Sequence, residues 1–177
     1  MKTPVRLAIA AVVLVAAGAA LYPAVAGMIG PKISPFGVSA SFKPADFPSA
    51  RAIAEGSGFY VVDVPEPNPA FASYTATYAQ GDVLCLMAGH SNNLSVTEAQ
   101  PLVEQLSALL DERYGPHQAE QRDGALVFRT WKPAGIENIN LSLRPNQSDT
   151  NVAADLVYMF RPALDCLPKV SSPAAGL

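Results

Sequence analysis

Residues 97–114 (TEAQPLVEQLSALLDERY) constrain the chain more than any other stretch. Leu102, Val103, Leu106, Leu109, Leu110 and Tyr114 recur at three- and four-residue spacings, which a helix gathers into one apolar stripe. Glu98, Glu104, Gln105, Asp111 and Glu112 fall on the other faces. Ser95 and Glu98 have the spacing of a capping box, and Gly115-Pro116 supplies a stop. Pro101 either opens the helix proper or kinks its start. A lone amphipathic helix must bury its stripe, and the flanking sequence offers only strands to receive it.

Residues 59–64 (FYVVDV) are a compact β-type run ending in PEPNP, where Pro65, Pro67 and Pro69 enforce an extended, unpaired loop. Residues 71–79 alternate, with Ala72, Tyr74, Ala76 and Tyr78 on one side and Ser73, Thr75 and Thr77 on the other. Gln80-Gly81-Asp82 turns them into the apolar run 83–88 (VLCLMA), a hairpin. Residues 89–94 (GHSNNL) read as a polar loop feeding the helix. Beyond the helix, strands are expected at 125–132, 139–144 and 152–161. Ile139, Leu141 and Leu143 alternate with polar residues, and Val152, Ala154, Leu156, Tyr158 and Phe160 share a face. The expected fold class is α+β, in the order β-ββ-α-βββ. It is a single antiparallel sheet of about five to six strands with one amphipathic helix packed on one face, preceded by an N-terminal apolar helix.

That apolar helix comes from residues 7–29, behind Lys2 and Arg6. Residues 1–26 have the layout of a secretory signal peptide, with Ala24-Val25-Ala26 as the small-residue cleavage pattern; extended to 29, the same run is a membrane anchor. Alanine dominates it, which favours the cleaved signal. Either way the domain is expected outside the cytoplasm: periplasmic, released after Ala26 or anchored in the inner membrane. Residues 30–58, rich in Pro, Gly and Ser, read as a linker or arm, with a short helix over 46–55; 59–168 read as the exported α+β domain and 169–177 as a flexible tail.

Lys2 and Arg6 are the only charges in the first 26 residues, so 10 of the 12 basic residues remain against 15 acidic ones, a formal charge of −5. Nucleic-acid binding runs on an excess of Lys and Arg, so that class is excluded. Cys85 and Cys166, the only cysteines, read as one disulfide in an oxidising compartment, worth about 4 kcal/mol in the chain-entropy model.

Signals for chemistry are few. There is no haem CxxCH, P-loop, dinucleotide fingerprint or zinc spacing, and the expectation is no cofactor and no metal. His90-Ser91 is the most catalytic-looking pair, yet adjacent loop residues usually point apart and no GxSxG elbow is present. Asp63 and Asp155 each interrupt an apolar strand. A buried carboxylate would have a raised pKa and mark a site, whereas an exposed or edge placement is the simpler expectation. Arg129, Trp131 and Arg161 form a trio fit for an anion or a partner surface, with a fold-stabilising cation–π contact as the simpler account. Phe36, Phe42 and Phe47 stand out in the arm, since disordered linkers rarely carry aromatics; they are expected to dock on the domain or on a partner.

The leading expectation is a non-enzymatic cell-envelope protein acting through protein–protein contacts, its partner in or at the cytoplasmic membrane. A soluble periplasmic small-ligand binder or inhibitor, with a pocket lined by Tyr74 and Tyr78, is the alternative. A hydrolase using His90 stands third, and requires a carboxylate within hydrogen-bonding reach of the ring.

Overall fold

A computed structural model describes residues 34–123, 126–145 and 151–166. The strands are β1 (Ser49–Ala52), β2 (Phe59–Asp63), β3 (Ser73–Ala79), β4 (Val83–His90), β5 (Leu94–Ser95), β6 (Ala119–Asp123), β7 (Leu126–Trp131), β8 (Asn138–Pro145) and β9 (Asn151–Met159). Helix α1 (Val96–Tyr114) separates β5 from β6, and a single turn, α2 (Ala163–Cys166), follows β9. All strands pair antiparallel in one sheet of order β1-β2-β3-β4-β9-β8-β7-β6, with β5 also pairing β9. Two meanders thus join where β4 meets β9. The fold is α+β, as the sequence predicts.

The strand count differs: nine strands replace the expected five to six. The three additions carry no hydrophobic alternation. β1 (SARA) is exposed throughout, β6 (AEQRD) is an edge strand of polar residues, and β5 is two residues long. Edge strands built of small and charged residues resist edge-to-edge aggregation, and for the same reason they give no periodic signal. β1 also occupies part of 46–55, where a short helix was expected. The expected N-terminal apolar helix lies outside the described residues, as does the 169–177 tail. Among the described residues no helix is long and apolar enough to cross a membrane.

Helix α1 starts at Val96, a turn before Pro101, which is exposed and interrupts nothing. Its capping box is in place: Ser95 N donates to Glu98 Oε2 at 3.0 Å and Glu98 N donates to Ser95 Oγ at 3.4 Å. Gly115 ends it at φ +84°, a conformation that favours glycine. Ala99, Val103, Leu106 and Leu110 are buried against β8 and β9, above Ile139, Leu141, Leu143, Ala154 and Leu156. Leu109, predicted to join that stripe, is instead 52% exposed.

Residues 34–47 contribute Val38 and Phe47 to the core, with Phe36 and Phe42 packed against it. Phe36 packs edge-on against Phe71, Tyr74 and Tyr158, and Phe42 against Phe47. Gly89 makes room for this: a Cβ there would sit 2.8 Å from the Phe71 ring and 3.1 Å from that of Phe36. Cys85 and Cys166 form the expected disulfide, Cα atoms 5.7 Å apart, in the usual span for such a bond. The register of β3 against β4 slips between Thr77 and Tyr78, leaving Cys85 without a partner across the ladder.

Candidate functional site

The sheet has two unlike faces. Alternation places Tyr74, Ala76, Met87, Leu156, Tyr158, Leu141 and Trp131 on the α1 side, all buried. The opposite face is largely half-exposed. One cross-strand row there runs Val61, Thr75, Ala88, Val157, Asn140, Thr130, and a parallel row runs Ser73, His90, Asp155, Ser142, Phe128.

Three of these positions, Thr75, His90 and Asp155, interlock with Arg144. Strand β4 continues through Gly89 and His90, where a loop was expected, and this puts His90 directly opposite Asp155. His90 Nδ1 lies 2.7 Å from Asp155 Oδ1, and Thr75 Oγ1 lies 2.8 Å from His90 Nε2. The consistent tautomer has Nδ1–H donating to the carboxylate and Nε2 accepting the Thr75 hydroxyl. Arg144, on β8, donates from Nε to Asp155 Oδ2 and from Nη2 to Oδ1. The Asp155 side chain is 9% exposed, while that of Arg144 is 58% exposed. Burial pushes the Asp155 carboxyl up, but the hydrogen bonds from His90 and Arg144 outweigh it and hold it below the usual carboxylate range. The exposed placement expected for Asp155 is therefore corrected, as is the raised pKa a buried carboxylate would have; Asp63 is exposed as expected.

Beside this network opens a cleft of about 310 Å³ lined by Ser73, His90, Ser91, Asn93 and Arg144. Ser91 is locked to β9: its N–H donates to Ala154 O and its Oγ accepts from Ala154 N, both at 2.9 Å. The order hydroxyl–imidazole–carboxylate is that of acyl-transfer triads. Thr75, however, is paired on both sides, with Val61 and Ala88, so the amides around it belong to ladders and are not aimed as oxyanion donors. In this geometry the network orients the imidazole and fixes the guanidinium at the cleft rim.

The other predicted residues lie apart from it. Arg129 and Trp131 are buried under α1 rather than forming a surface trio with Arg161, which is exposed past the end of β9. Arg129 donates to Glu104 at 2.8 and 2.9 Å, to Glu120 at 2.9 Å and to Ser107 at 2.6 Å. The bonds to Glu104 and Glu120 hold its guanidinium pKa above the ordinary value, against its own burial. Trp131 Nε1 donates to Asp111 at 2.8 Å. Both side chains therefore fasten α1 to β7. Tyr74 and Tyr78 are buried, the Tyr74 hydroxyl accepting from Asn68 N at 2.7 Å; they do not line a pocket together. A concavity of about 740 Å³ lies instead between α1 and residues 34–36 and 66–69. Among the described residues no group of three or more metal-type ligands gathers.

Sequence reasoning missed Thr75 and Arg144. What hid the contact of Thr75 with His90 was Gly89: read as a loop residue, it ended β4 before His90, whereas a glycine inside a strand also marks close approach of another side chain, here Phe71 and Phe36. Compared with known protein families, curated proteins and solved structures, the chain matches none.

Proposed function

We propose that this chain is a non-enzymatic cell-envelope protein, exported through its apolar N-terminal run, that binds a protein partner at the cytoplasmic membrane with the sheet face opposite α1. The observation that carries this reading is the asymmetry of the sheet. One face is covered by α1 and residues 34–47, apart from the cleft between them. The other presents Val61, Leu86, Val157 and Met159 half-exposed beside the polar Ser73–His90–Arg144 end, an apolar centre with a polar rim of the kind interfaces use. The disulfide is compatible with an oxidising compartment. Affinity capture of the full chain from detergent-solubilised membranes tests it. The expected result is a co-purifying partner that is lost with Val157→Arg; recovery of the wild type only as a free monomer overturns it.

A hydrolase using His90 is the second reading, favoured by one specific observation: a buried carboxylate does stand within hydrogen-bonding reach of the ring. It predicts an ester- or amide-cleaving activity abolished by His90→Ala and by Thr75→Val. No turnover of activated esters above the His90→Ala background removes it.

A further inference from the structure

The 740 Å³ cleft is on the other side of the molecule from the face above and serves neither reading. Its volume falls within the range of about 300–1,000 Å³ typical of small-molecule sites. Leu106, Leu109 and Leu110 of α1 form one wall, the Pro67–Asn68–Pro69 segment the other, and Phe36, Leu156 and Tyr158 the floor. Leu109 is the telling residue. Its neighbours on the outside of α1 are Glu98, Gln100, Glu104, Gln105, Glu112 and Arg113, yet this one large apolar side chain stands 52% exposed where the helix borders the cleft.

Both walls are held in place without a ligand. Asn68 N donates to the Tyr74 hydroxyl at 2.7 Å and Asn68 O accepts from it at 3.0 Å, while Glu66 N donates to Phe36 O at 3.0 Å. Pro65, Pro67 and Pro69 restrict the remaining freedom of residues 65–69. Opposite, the Arg129 and Trp131 bonds pin α1. A preformed cavity spares an incoming molecule the cost of ordering its own site.

The rim decides the class of occupant. Glu66 stands on one wall and Glu112 on the other, and among the described residues Arg113 is the only basic one lining the cleft. The Arg113 guanidinium sits 5.4 Å from the centroid of the Tyr114 ring, and its charge also reaches Tyr158 on the floor. Among the described lining residues two acids stand against one base, so this part of the rim is net negative above a mostly apolar floor.

We propose that this cleft binds a small apolar molecule carrying a cationic head group, its apolar body against Leu106, Leu109 and Leu156 and its charge between Glu66 and Glu112. Three matched probes test the site in the full chain by titration calorimetry: naphthylmethylammonium, the uncharged naphthalenemethanol, and naphthoate. The cation is expected to bind one-to-one and saturably, about tenfold more tightly than naphthoate at low salt, with the gap closing as salt screens the rim. Leu109→Arg is expected to weaken the cation at least tenfold while circular dichroism and Tm stay unchanged, because that side chain is exposed. Leu164→Arg, at an 82% exposed position on α2, is expected to leave binding unaltered. Glu112→Gln is expected to weaken the cation and spare the uncharged probe. Absence of saturable binding, insensitivity to Leu109→Arg, equal loss with Leu164→Arg, or naphthoate as the tightest probe would each overturn the proposal. Capture of a partner by the opposite face bears on none of these outcomes.

Discussion

His90 and Asp155, 65 residues apart in sequence, face each other across one rung of the β4–β9 ladder with Nδ1 and Oδ1 separated by 2.7 Å. Arg144 closes on the second carboxylate oxygen from β8, so one buried acid ties three strands together at the centre of the sheet. Asp155→Asn keeps the shape and removes the charge that both partners address. A loss of about 1.5–3 kcal/mol is expected, the range for hydrogen bonds to charged groups. Urea denaturation at neutral pH measures it; a change under half a kilocalorie would mean the network is incidental to stability.

The same carboxylate sets an acid limit. Burial raises its pKa, but the hydrogen bonds from His90 and Arg144 win and leave it depressed in the folded state. In the unfolded chain it titrates near its ordinary value of about 3.9. As pH falls the unfolded state takes up the proton first. The contribution of Asp155 is therefore complete above that value and drains away as pH drops through the lower folded pKa. As pH falls below about 4, wild-type stability is expected to fall more steeply than that of Asp155→Asn. Parallel curves would contradict this.

Cys85 is fully buried and its bond to Cys166 spans a sequence separation of 81. Opening a loop of this size is expected to cost roughly 4 kcal/mol through the unfolded ensemble. The midpoint of urea unfolding for Cys166→Ala, compared with the wild type under non-reducing conditions, gives the figure directly. Coincident transitions would show that the staple is redundant.

Phe36 stands between arm and sheet, touching three aromatic rings. Phe36→Ala is expected to destabilise by about 2 kcal/mol, less than for a fully buried ring, and to make residues 34–47 the first site of proteolysis. Resistance equal to wild type would free the arm's phenylalanines for a partner.

Much of this architecture was legible in the sequence. The α1 capping box, the β3–β4 hairpin, the inward residues of β8 and β9 and the sulfur pair all follow local rules of spacing and turn chemistry. What escaped was decided by long-range register. Polar β6 acquires its strand character only by pairing with β7, and Arg129 and Trp131 look like surface residues until α1 is laid over them. His90 looks like a loop residue until β9 arrives opposite. Leu109 fits the helical stripe by periodicity, yet the helix meets the sheet through Val103, Leu106 and Leu110, and Leu109 is turned to the cleft edge.

The claim that the face opposite α1 meets a partner is tested most directly by site-specific photo-crosslinking in cells. A photoreactive side chain would replace Val157 on that face or, as the control, Gln105 on the exposed side of α1. A discrete higher-mass adduct from position 157 and none from 105 is the expected result. No adduct from 157, or the same adduct from both positions, would contradict it.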